Sequence, residues 1–241
     1  MPVPPVTTTV NVDLEGWVER IDTSFSAINW TTATRNAAVG TDAYTRTSSA
    51  TEQGTRSYYV LSKGVYQSMN ARSFFFFDTS GVGGTITAAT LNVYAGSPAN
   101  SVDTVVVEGT AWGDGGATTT LGNPDYSALA LATPYSSPKL SWAASAYNSY
   151  ALNATAIADM NANGYLNTAL ITDDYDYKPD NPTLGDDWGV AINYANGSFP
   201  HYLDITYTPS GYGNDVNGVT AATIVSINGV ATADIVTVNG V

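Results

Sequence analysis

The chain has 241 residues, with 8 Lys plus Arg against 21 Asp plus Glu, a formal net charge of −13 at pH 7. Charged residues are only 12% of it, about half the usual share for a soluble protein, and Thr, Ser, Asn, Gly and Ala take their place. Such a balance repels phosphates and anionic lipid, so neither nucleic acid nor a membrane is an expected partner. The absence of cysteine excludes a disulfide framework, a thiolate zinc site and a cysteine nucleophile, and one histidine, His201, excludes a multi-histidine metal centre.

Residues 1–12 read as an N-terminal arm. Met1-Pro-Val-Pro-Pro-Val6 has neither the basic start nor the apolar stretch of a secretory signal, and no run approaches the ~18 apolar residues of a membrane span. Yet the Thr, Ser, Asn and Tyr content suits an extracellular surface. A protein made in a host cytoplasm without a signal has three routes out, cell lysis, an assembled particle or a dedicated secretion machine, and a virion protein is the expectation.

Residues 13–209 read as strands punctuated by turns. Arg72-Ser-Phe-Phe-Phe-Phe-Asp78 is a continuous aromatic run, the pattern of a strand covered on both faces. Thr85 to Tyr94 and the β-branched Thr104 to Glu108 follow. Asn153 to Asn163 is the exception: Ala154, Ala156 and Ala158 favour helix, Ile157 and Met160 share a face, Asn153 is placed to cap the start and Gly164 to stop the end. That helix is expected to plug one end of the fold. Strands resume at Asn167–Thr172, Val190–Tyr194 and Tyr202–Thr208, the last alternating Tyr202, Asp204, Thr206 against Leu203, Ile205, Tyr207. Short strands between Gly, Pro and Asn predict an all-β, jelly-roll-like antiparallel β-sandwich with one short helix.

The sequence Arg72-Ser-Phe-Phe-Phe-Phe-Asp-Thr-Ser-Gly-Val82, followed by Ile86-x-x-Ala89-x-Leu91-x-x-Tyr94, resembles the DNRLRE-type (disaggregatase-related) β-sandwich domains. The Thr155–Met160 helix and the closing Pro200–Thr208 strand are similar as well. The resemblance implies a jelly-roll-like fold of the kind carried as an accessory module on secreted carbohydrate-active and surface proteins. It implies no catalytic residue.

Residues 210–241 form a separate unit. Val216-Asn-Gly-Val219, Ile227-Asn-Gly-Val230 and Val238-Asn-Gly-Val241 recur every 11 residues, and Asn-Gly is the preferred centre of a two-residue hairpin turn. The aliphatic side chains between the turns cannot make a core alone. Ile224, Val225, Ile227, Ile235, Val236 and Val238 are therefore expected to bury against the sandwich or against a neighbouring chain. Tails of this kind resemble those of tailed-phage structural proteins.

Two loop chemistries complete the reading. Asp173, Asp174, Asp176 and Asp180 lie in one Tyr- and Pro-rich loop and are candidate oxygen ligands for Ca²⁺, although the spacing is not that of an EF-hand; no other cofactor is expected. Tyr175, Tyr177, Asn181 and Trp188 in the same segment are candidate sugar contacts, since aromatic faces beside amides and acids suit saccharides. Trp17, Trp30 and Trp188 are read as lying in loop-like polar contexts, Trp112 and Trp142 as structural, and His201 as a structural or surface residue. No Gly-x-Ser-x-Gly elbow or phosphate loop is present, so no enzyme is expected. The expectation is a capsid-decorating or fibre-type virion subunit, partnered by other virion chains as a homo-oligomer or on a capsid lattice. A carbohydrate-binding module that recognises a polysaccharide is the alternative.

Overall fold

The computed structural model describes residues 4–46, 50–96, 102–194, 199–210, 226–227 and 230–231. In chain order the strands are β1 (Val6–Asn11), β2 (Leu14–Ser24), β3 (Asp42–Arg46), β4 (Ala50–Ser62), β5 (Val65–Asp78), β6 (Gly84–Tyr94), β7 (Thr104–Gly109), β8 (Leu129–Pro134) and β9 (Tyr147–Ala151). Helix α1 (Ala154–Asn163) precedes β10 (Tyr165–Thr172), β11 (Asp186–Tyr194), β12 (Tyr202–Pro209), β13 (Ser226–Ile227) and β14 (Val230–Ala231). A four-stranded sheet, in the order β1-β12-β6-β9, faces an eight-stranded one built from β2–β5, β7, β8, β10 and β11. Every strand pairing is antiparallel. The chain crosses repeatedly between the sheets, so the predicted all-β sandwich is the fold.

The four-phenylalanine run explains the layering. Phe75 and Phe77 face the small sheet and pack with Leu91, Val93, Leu203 and Ile205, while Phe74 and Phe76 face the other way, with Val105, Val107 and Ile171. Alternation along one strand thus feeds two cores. The second core is roofed by the chain between β7 and β8, which brings Trp112, Leu121 and Tyr126 down onto the sheet.

β5 is also where the large sheet forks. One of its edges carries β2 from Leu14↔Phe76 to Ser24↔Tyr66. The other edge is shared: β4 pairs with Val65–Ala71 and β10 with Ser73–Asp78. Arg72 sits at the crotch. Hydroxyls close the gap above it, with Thr55 Oγ1 2.6 Å from Ser73 Oγ and donating to Leu170 O at 3.1 Å, and Ser57 Oγ 2.9 Å from Thr172 Oγ1.

Helix α1 begins and ends as the sequence predicts. Asn153 Oδ1 accepts from Thr155 N and Ala156 N, and Gly164 takes the left-handed conformation (φ 75°). Ala156 and Met160 enter the main core, and Asn161 binds both the N–H and the C=O of Ile86. The helix therefore plugs the sandwich between β6 and β10.

The tryptophans are not loop residues exposed to solvent. Trp17, Trp30, Trp112 and Trp142 are all at most 5% exposed, and Trp188 lies in β11, packed against the main core. Trp112 and Trp142 are structural, as expected. In the tail, β13 and β14 pair as Ser226↔Ala231 and Ile227↔Val230. They form a sheet of their own rather than extending either sheet of the sandwich. Ile224, Val225, Ile235, Val236 and Val238 lie outside the described residues.

Candidate functional site

The acidic loop is occupied by its own counter-charges. Asp173–Tyr177 forms one wide helical turn with Asp176 entirely buried, and Arg72 at the sheet fork binds it in bidentate fashion at 2.6 and 2.7 Å. The same guanidinium donates to Tyr126 O and Arg35 O and lies 4.0 Å above the Tyr126 ring. Arg35 in turn donates to Asp176 O, and the Tyr126 hydroxyl to Thr34 O. Three loops far apart in sequence are thus pinned to the outer face of the large sheet.

Asp173 and Asp174 both bind the Lys178 ammonium, whose pKa their hydrogen bonds hold above the ordinary lysine range. Asp180 contributes its backbone N–H to Asp174 O. Among the described residues no group of three or more His, Asp or Glu side chains is placed to hold a metal ion. What the loop's acids do is tie the loop down.

The four sugar-contact candidates do not converge. Tyr177 packs against the outer core, Trp188 against the main one, and the Tyr175 hydroxyl donates to Asp186. Asn181 alone lines a shallow hollow of about 250 Å³, beside Trp30, Tyr59 and Pro182.

A better-organised surface lies on the outside of the four-stranded sheet. Val10, Leu203, Leu91 and Tyr150 form one cross-strand row facing the core. By alternation, the neighbouring rows Asn11–Tyr202–Asn92–Ser149 and Thr9–Asp204–Thr90–Ala151 face outward. Their polar groups are linked across all four strands. Thr9 Oγ1 donates to Asp204 Oδ1 at 3.1 Å, Asn92 Nδ2 to Asp204 Oδ2 at 3.2 Å, and Ser149 Oγ to Asn92 Oδ1 at 2.6 Å.

Aromatic rings border this polar ladder. Tyr94 and Phe199 stack at 4.3 Å and 6°, Tyr94 meets Tyr147 edge-on at 5.1 Å, and Tyr147 meets Tyr202 edge-on at 5.0 Å. Burial raises the Tyr147 and Tyr202 phenols, helped by neighbouring phenols at Tyr147 and by Asp204 at Tyr202. Both stay protonated donors at neutral pH. Ring edges and faces beside fixed donors and acceptors match the mixed apolar and hydroxylated surface of a saccharide. The alternation in Tyr202–Thr208 carried part of this signal. The rest needed the register, since Tyr94, Tyr147 and Tyr202 come from three strands distant in sequence.

His201 holds this sheet from within. It is 1% exposed, its Nδ1 accepts from Tyr94 N at 3.0 Å, and its Nε2 lies 3.4 Å from Glu15 Oε2. Burial pushes its pKa down to about 3. A neutral imidazole joining the end of β6 to the start of β12 is a structural part. No family model matches the chain and no curated protein matches it.

Proposed function

We propose that this protein is a non-enzymatic structural subunit of a tailed-phage-like particle, decorating a capsid or forming a fibre. Residues 210–241 would anchor it to other virion chains, copies of itself included, while the sandwich faces outward at the virion surface. The observation that supports this most is the β13–β14 pair, which forms its own two-stranded sheet instead of joining the sandwich. Its sequence is the middle one of the Asn-Gly-Val repeats, and strand addition to a neighbour's sheet edge would bury such segments. The test is light scattering coupled to size exclusion on the full chain and on a chain ending at Ser210. Defined oligomers that become folded monomers on truncation are expected. Monomers in both cases, or an unfolded truncated chain, would overturn the separable anchor.

The outward rows of the four-stranded sheet favour a second reading, adhesion to a polysaccharide, which a virion subunit can combine with the first. The strand β12 runs from the aromatic border at Tyr202 to the exit at Pro209 over eight residues, about 24 Å at ~3.4 Å per step. The rings therefore lie at the opposite end of the strand from Pro209. Polysaccharide-induced shifts in melting temperature that vanish in Tyr147→Ala and Tyr202→Ala support this reading; shifts that survive both substitutions refute it.

A further inference from the structure

The four-stranded sheet ends in β1, and among the described residues no strand pairs with its outer edge. Val12 N donates to His201 O at 2.9 Å, in the same register that pairs Val10 with Leu203. Bonding in an antiparallel ladder alternates residue by residue, so Val6, Thr8 and Val10 turn their N–H and C=O groups toward β12. Those of Thr7, Thr9 and Asn11 point away from the sheet. Protected edges carry charge, proline or a covering segment, and the other edges of the sandwich do. β3 is bounded by Asp42 and Arg46, β11 opens with Asp186 and Asp187, and β8 ends at Pro134. The chain at Ser136 bridges to Leu152, just past the end of β9. β1, Val-Thr-Thr-Thr-Val-Asn, has no charge and no proline within its length. Val6, on the same face as the core-facing Val10, is 41% exposed.

Such an edge asks for an extended, uncharged segment. Residues 220–226, Thr-Ala-Ala-Thr-Ile-Val-Ser, are the first stretch between the Asn-Gly turns and carry no charge, whereas the matching stretch 231–237 carries Asp234. In a chain of net charge −13, the uncharged stretch approaches another copy at the least electrostatic cost. The tail leaves β12 at Pro209, beside Val6, whose register partner is Tyr207. Edge and tail thus meet at one corner of the sheet, and each copy can both give a strand and receive one, a head-to-tail contact. Within one chain, Ser226–Ile227 pairs with Val230–Ala231 and not with β1, which makes a second copy the donor. We propose that residues 220–226 of a second copy add to the outer edge of β1 as an extra strand. Their backbone groups meet those of Thr7, Thr9 and Asn11, and Ile224 is the side chain suited to cover Val6. This rests on the anchoring role given above to residues 210–241 and names the surface that receives the anchor.

The test is light scattering of the full chain over a dilution series, the parent against Thr7→Pro. Proline at this position deletes one outward N–H and leaves the bonds of Val6, Thr8 and Val10 to β12 in place. The oligomer should dissociate about tenfold or more readily, because a carbonyl of the incoming strand loses its donor, while the melting temperature of the sandwich stays that of the parent. Thr7→Ser keeps the N–H and should match the parent in both. Amide exchange on the parent needs no variant: Thr7, Thr9 and Asn11 should exchange slowly in the oligomer and fast after dilution to monomer. Oligomers that need the tail yet are unchanged by Thr7→Pro, with those three amides fast throughout, would overturn the edge assignment and leave the anchoring role standing. A parent that is monomeric at every concentration would overturn both. Slow exchange of the three amides in a monomer would overturn the proposal in favour of the chain's own tail.

Discussion

Replacing Asp176 with leucine would strip the counter-charge from a guanidinium that is almost entirely buried. The Arg72 and Asp176 side chains are 3% and 0% exposed, and they share two bonds of 2.6 and 2.7 Å. Burial pushes the Arg72 pKa down, and in the native protein the Asp176 charge more than offsets it; in the variant that support is gone, but a guanidinium is not deprotonated in proteins, so a buried charge is left without its carboxylate. Two charge-assisted bonds at about 1.5–3 kcal/mol each agree with the ~3–5 kcal/mol measured when one partner of a buried pair is removed. The bonds to Tyr126 O and Arg35 O and the contact with the Tyr126 ring remain, which places the expected loss near the lower end, about 3 kcal/mol. For a domain of this size that lowers the melting temperature by about 6–12 °C. Urea unfolding followed by tryptophan fluorescence reads the free energy, and calorimetry the midpoint. The double variant Arg72→Met with Asp176→Leu removes both charges and should recover most of the loss. A single-variant loss below about 1 kcal/mol, or a double variant no more stable than Asp176→Leu, would refute the view that the pair pins these loops.

Three further outcomes follow from local geometry. With His201 held at a pKa of about 3 against ~6.5 when unfolded, the unfolded state binds more protons between those values, so stability is full above pH 6.5 and falls as the pH drops through that window. About 2 kcal/mol should be lost from pH 7 to pH 5; a His201→Gln variant with the same loss over that range would contradict it. A Cβ at Gly16 would lie 2.1 Å from Tyr44 O and 2.8 Å from Leu121 Cδ1, so Gly16→Ala must spread β2 from β3 and should cost about 1–3 kcal/mol by urea midpoint, with an unchanged midpoint as the disproof. Asn153→Ala removes the cap that accepts from Thr155 N and Ala156 N; about 1 kcal/mol should go, and a thermal midpoint equal to the parent's would show that the cap does not hold α1.

The regular elements with strong local signals were legible: the Phe74–Phe77 run, whose faces feed two cores, and α1, whose Asn and Gly sit where caps belong. The first third of the sandwich was not. β2 and β4 carry Glu15, Arg20, Asp22, Arg56 and Ser57, which look like surface residues because their partners come from elsewhere. Asp22, for example, accepts from Thr34, and Ser57 donates to Asn70 Oδ1. Buried polar seams of this kind leave no apolar period to read. The acidic loop looked like a cation site for the same reason: Arg72, the partner of Asp176, is 104 residues away. The outward face of the small sheet was visible one strand at a time, but lining up Tyr94, Tyr147 and Tyr202 requires knowing that β12 lies between β1 and β6.

That central position of β12 also decides how the sandwich carries tension. A load applied at Pro209 and resisted near Tyr202 runs along the axis of the strand. The six register pairs with β1 and the eight with β6 flank the same strand, so its two ladders are stressed in shear, many bonds at once. A load applied between Val6 and Pro209 acts differently, because Val6 pairs with Tyr207 and the two points are neighbours at one end of the sheet. It opens the β1–β12 ladder like a zip, bond by bond. The same domain is therefore stiff to a pull transmitted from the aromatic end to the tail, and soft to one that separates its own two ends.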